Sequence, residues 1–260
     1  MRTEGEFRAL LVLLADEDER DAALPYLFEA ARSSDPGLRG RVRLLLEELR
    51  VAALEAEWRQ HVARPDDDLD LERGCLLLSG MVREADAARV GSFLDAISGM
   101  VRAHMVHVSP LQALSEVVFD KMRFRGGDYA DPDNYLAPAL DRRTGIPIVL
   151  ATIFVLVGRR AGLPVSGVAA PSHYLARVER SEGQIFVDCY NRGRTYRQET
   201  LAAWLEGRGV ARPRQYLAPC THRFTLHRML NNCERVHGET GNARLAVAAR
   251  RWRDLLGAER

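Results

Sequence analysis

The chain has 260 residues and a mass of 29.2 kDa; 47% of it is apolar and 28% charged, enough to bury a full core without staples. Thirty-seven basic residues against 36 acidic ones leave a formal net charge of +1, which argues against a nucleic-acid binder. Four cysteines, Cys75, Cys189, Cys220 and Cys233, form no CxxC pair, which argues against a zinc ribbon or redox motif and for a reduced, cytoplasmic setting with no cofactor.

The first ~120 residues read as helix, with apolar residues at three- and four-residue spacing near 6–15, 20–32, 37–60, 70–82, 86–105 and 110–122. The first of these reads as a helix and not as a signal peptide. No apolar run approaches the ~18 residues of a membrane span. Asp35-Pro36 and Ser109-Pro110 each offer an N-cap followed by proline at the first helical position. The stretches 14–32 and 33–50 have the form of a HEAT-like pair. The acidic run Asp66 to Asp70 reads as a solvated loop and helix start.

Residues 123–135, rich in Gly, Asp and Pro, read as loop. From Ile146 to Val157 only Thr152 is polar, so this helix should be buried on all sides. Arg159, Arg160, Gly162 and Pro164 then signal a stop. Strands are expected over 164–170, 173–180 and 184–190, the last two as a hairpin around Ser181-Glu182. Beyond ~197 the chain is helical. Leu226, Met229, Leu230 and Cys233 share one face, and Leu245, Ala248, Ala249 and Trp252 another. Gly238 and Gly241 mark the turn between them.

A buried helix followed by antiparallel strands carrying His and then Asp is the skeleton of a thiol-protease-like site. A nucleophile at the helix N-terminus feels the helix dipole, a histidine takes its proton, and a carboxylate orients the histidine. With a two-residue loop, Arg180 pairs with Gly183 and Leu175 with Asp188, so His173 shares a face with Asp188. A three-residue loop would separate them. Cys189, the next residue along, should face the other way as a core cysteine, and is the weaker candidate for a substitute nucleophile. Thr144 reads as a possible N-cap, and Arg142 and Arg143 as candidates for binding a carboxylate or phosphate. Tyr135 and Asn191 complete the candidate binding residues. Neither His104 with His107 nor His222 with His227 has a third ligand at metal spacing, so no metal is expected.

The blocks RRTGIPI (142–148), AGLPVSGV (161–168), SHYLARV (172–178) and VDCYNRG (187–193) resemble the SirB-type proteins of the transglutaminase-like superfamily, in order and in spacing. The resemblance implies an α+β fold: a cysteine-protease-like core, with a buried helix on a small antiparallel sheet, an all-helical N-terminal region and a tetratricopeptide-like C-terminal hairpin. The expected boundaries are 1–108, 109–218 and 219–260. The superfamily's histidine and aspartate fall on His173 and Asp188, and its nucleophilic cysteine falls on Pro147, which has no nucleophilic atom. Where the family has proline after the strand aspartate, this chain has Cys189. The implied function is a non-enzymatic module that binds a protein or peptide, with no nucleic-acid or membrane partner. The alternative is a hydrolase or acyltransferase using His173 and Asp188 with a displaced nucleophile.

Overall fold

The computed structural model describes residues 20–129 and 131–257; the helix expected over 6–15 lies outside them. The chain divides between Ala56 and Glu57 into two compact units. In the first, helix α1 (Arg20–Ala30) is followed by the start of α2 (Pro36–Val62). Ala23, Leu27 and Ala30 pack with Leu38 and Val42, positions that recur at helical spacing. Asp35 acts at the start of α2 as its position before Pro36 suggested: its carboxylate accepts the Gly37 N–H at 2.8 Å.

The second unit begins with the end of α2 and continues through α3 (Leu71–Gly80), α4 (Ala87–His104) and α5 (Pro110–Ser115), the last running into a π-helical turn at Glu116–Lys121. Asp70 and Asp86 cap α3 and α4 by accepting the N–H of Arg73 and Arg89. The segment 123–135 is not all loop. Arg125–Gly126 (β1) pairs in parallel with Thr144–Gly145 (β2), on either side of α6 (Leu136–Arg142). Such a short ribbon leaves no alternation to read in a sequence, because its pairing is set by tertiary packing.

Helix α7 (Pro147–Arg160) is the centre of the unit: every residue from Pro147 to Gly158 is buried. It packs against α4 on one side and the sheet on another. Phe154 stacks on Phe119 with ring centroids 5.6 Å apart, and Ser98 Oγ donates to the Val157 carbonyl at 3.1 Å. Full burial of one such aliphatic or aromatic side chain contributes about 1.5–3 kcal/mol.

The sheet is antiparallel in the order β3 (Val165–Val168), β4 (Leu175–Val178), β5 (Ile185–Asp188), β6 (Arg194–Arg197). The β4–β5 register is Ala176 with Val187, Arg177 with Phe186 and Val178 with Ile185. Gly183 N–H donates to the Arg180 carbonyl at 3.1 Å, the closure that a two-residue loop requires. Strand β6 falls in a stretch where the sequence carries no apolar alternation, because it is an edge strand with mostly exposed side chains. Helix α8 (Gln198–Glu206) follows directly. Its Leu201, Ala202 and Leu205 pack with Val168, Leu175, Phe186 and Leu217.

Helices α9 (His222–Glu239) and α10 (Ala243–Leu256) form an antiparallel hairpin. Gly238 lies inside α9; the turn is made at Gly241, with φ +78°, and Asn242 caps α10 by accepting the Leu245 N–H. The hairpin is built into the unit. Trp252 stacks on Trp58 at 5.2 Å, and the Trp58 indole donates to the Trp252 carbonyl at 2.9 Å. The Arg223 guanidinium donates to the carbonyls of Val62, Arg64 and Leu256.

Candidate functional site

The turn into β4 places His173. Ser172 sits in the left-handed region, φ +60°, and the His173 N–H donates to the Ala170 carbonyl at 3.1 Å. A non-glycine residue there costs about 1–2 kcal/mol, so the conformation is held by its surroundings. Asp188 closes β5, and its side chain holds the turn that follows: its Oδ1 accepts the Asn191 N–H at 3.1 Å and its Oδ2 the Asn191 side-chain amide at 2.8 Å. His173 Nε2 lies 3.0 Å from the same Oδ2, at ion-pair distance. Burial disfavours the Asp188 carboxylate, but the His173 ring and the two Asn191 donors outweigh it and hold the group below its ordinary range.

These residues line a cleft of about 340 Å³. Leu175, Leu201, Leu205 and Leu217 are among its apolar lining, and Tyr196 and Trp204 are its aromatic residues. Three predicted site residues, His173, Asp188 and Asn191, line it together. The wall from α8 went unforeseen: Leu201, Trp204 and Leu205 recur at helical spacing, but that spacing does not say which strand they face.

The remaining candidates lie elsewhere. Tyr135 is buried, its hydroxyl 2.6 Å from His237 Nε2. Thr144 is not the N-cap of α7. The helix starts at Pro147, so the cap position falls on Ile146, and the Thr144 hydroxyl donates instead to Asp133 Oδ1 at 2.8 Å. Arg142 Nε approaches that same buried carboxylate oxygen at 3.6 Å. The Arg143 guanidinium lies over the Phe93 ring, 4.3 Å from its centroid. Pro147 is not among the residues lining the cleft.

Cys189 is fully buried outside the cleft; burial, with Asp188 beside it, pushes its thiol well above the ordinary range. Cys220, half-buried, accepts the Ala169 N–H on its sulfur, and burial pushes its thiol up as well. No cysteine lines the cleft; Ser172, Thr200 and Tyr196 supply its hydroxyl groups. Among the described residues, no group of three or more His, Cys, Asp or Glu could hold a metal ion, and no helix is long and apolar enough to cross a membrane.

A buried helix packs against a small antiparallel sheet, with a histidine from the turn before β4 beside the carboxylate that ends β5, and sequence comparison assigns the chain to a family with this kind of core. The chain belongs to the transglutaminase-like superfamily, whose family model matches residues 88–231. It is 31% identical over 203 residues to a UPF0162 protein of Xylella fastidiosa, covering 70% of each chain, and 35% identical over 81 residues to a UPF0162 protein of Vibrio cholerae, covering 30% of each. A stretch of 114 residues, 40% of this chain, is 32% identical to F-box only protein 21 of Homo sapiens, of which it covers 18%. No solved structure matches.

Proposed function

We propose that this protein is a non-enzymatic, SirB-type member of the superfamily, a cytoplasmic pseudoenzyme whose cleft binds a segment of a protein or peptide partner. The core over 109–218 carries the cleft, and the helical regions 1–108 and 219–260 flank it. The observation that supports this most is a cleft with a His–Asp pair and no thiol. The four cysteines lie outside it, and a proline stands at the position the resemblance assigns to the nucleophile. An imidazole without a nucleophile in contact has no attacking atom to deprotonate. It can still recognise a hydrogen-bonding group, and the leucines and aromatic rings beside it suit an apolar side chain. The segment shared with F-box only protein 21 makes up 18% of that protein, which supports reading it as a module carried in different contexts.

One observation favours a second reading, a hydrolase or acyltransferase with a displaced nucleophile: Ser172 and Thr200 share the cleft with His173. The two readings separate in one assay. The full chain is incubated with casein, alone and with a small primary amine such as dansylcadaverine. Casein should stay intact and unlabelled. Cleavage or labelling that disappears in His173→Ala would overturn the binding reading in favour of catalysis.

A further inference from the structure

The elements that wall the cleft on one side are unlike the rest of the chain in charge. From Arg192 to Arg214 there are six arginines (192, 194, 197, 208, 212 and 214) and two glutamates (Glu199 and Glu206), an excess of +4 in a chain whose total is +1. All six arginines are exposed. Elsewhere arginines meet carboxylates: Arg83 and Arg89 meet Asp141, Arg160 meets Glu72 and Asp95, and Arg253 meets Glu234. Among the described residues, none of these six has an ion-pair partner. Two of them lie against the aromatic lining. The Arg208 guanidinium carbon is 3.8 Å from the Trp204 ring centroid, and that of Arg194 is 5.3 Å from the centroid of Tyr196.

We infer that the cleft takes an acidic peptide segment carrying a bulky apolar side chain. The side chain would enter among Leu201, Leu205, Leu217 and Trp204, and its flanking carboxylates would meet Arg194 and Arg208. This inference rests on the binding reading above and names the partner's chemistry. Guanidinium groups held over rings are pre-positioned for bidentate contact with carboxylates. A cleft of about 340 Å³ suits one or two side chains, whereas single-stranded nucleic acid needs a continuous basic track with successive stacking faces.

The test is selection of a library of random short peptides on the full-length protein, followed by affinity measurement on the enriched sequences. Enriched peptides should combine Asp or Glu with Leu, Phe or Trp. Reversal of Arg194 or Arg208 to Glu should weaken them about fivefold or more each, as for loss of a partly exposed charge contact. Neutralisation to Gln should weaken them less, and Trp204→Ala should weaken them too. The same reversal at Arg102 on α4 should leave them unchanged. Thermal melts verify that each variant is folded. Peptides that need Trp204 but show no acidic excess, or that ignore both arginines, would overturn the inference while leaving the binding reading standing. Failure to enrich any peptide would overturn both. Tighter, arginine-dependent binding of a labelled single-stranded DNA oligomer would overturn the inference by assigning the patch to nucleic acid.

Discussion

Nε2 of His173 stands 3.0 Å from Oδ2 of Asp188, and the Asn191 amide donates to that same oxygen. Asp188 is therefore a buried anion with its partners on two sides. Its proton affinity is lower in the fold than in the unfolded chain, where an aspartate titrates near about 3.9. The resulting stabilisation is present above that value and is lost as pH falls through the lower, folded value. Asp188→Ala should cost about 1–3 kcal/mol at neutral pH and flatten the acid limb of stability against pH. Urea titrations between neutral pH and strong acid measure both.

The cysteines should report their environments directly. In the native protein, iodoacetamide should label half-buried Cys220 first, while Cys75, Cys189 and Cys233 wait for unfolding. His173→Ala should leave these rates unchanged. Peptide mass spectrometry would read each site, and fast, His173-dependent labelling of Cys189 would contradict the strand-face geometry.

Gly193 shapes the turn that brings Asn191 to Asp188. Its φ is +77°, its N–H donates to the Asp188 carbonyl at 2.9 Å, and an added Cβ would come within 2.5 Å of the Phe119 ring. Gly193→Ala therefore meets backbone strain, about 1–2 kcal/mol, together with a clash against a buried ring. It should lower the melting temperature more than Gly183→Ala, which has the same sign of φ and open space around it.

His61 makes the neutral-pH side of the stability profile slope. Its ring lies 5.9 Å from that of Trp58, and burial lowers its proton affinity, with Asp70 opposing only in part. Below about pH 6.5 the unfolded chain takes up a proton that the folded ring resists, so stability falls as pH drops from there toward the folded value. The slope from this group is at most about 1.4 kcal/mol per pH unit. His61→Gln should flatten it, as measured by denaturation between mildly acid and neutral pH.

The hairpin was legible but its register was not: a two-residue loop at Ser181-Glu182 carries His173 to the face of Asp188 and a three-residue loop does not, and the observed pairing of Val178 with Ile185 is the two-residue one. Helix α7 was legible because a helix apolar on every side has only one place to go. Strand β6 was not, because Arg194 to Arg197 present an edge to solvent and need no apolar pattern. Thr144 was misplaced by two residues: a cap must directly precede the first turn, and Thr144 is held by pairing with Arg125 instead. The leucines of α8 were visible as a stripe, but what they face is decided by the strand before them and not by their own spacing.

The Trp58–Trp252 stack joins residues 194 positions apart. Such a closure is among the most remote that the unit makes, and contacts of this kind form late and slowly, after much chain entropy has been surrendered. A nascent chain reaching only Asn242 would already hold His173, Asp188 and the wall of the cleft, yet Trp58 would still lack its partner. Resistance to quality-control proteases should therefore arise only after α10 has been synthesised, later than the elements that line the cleft.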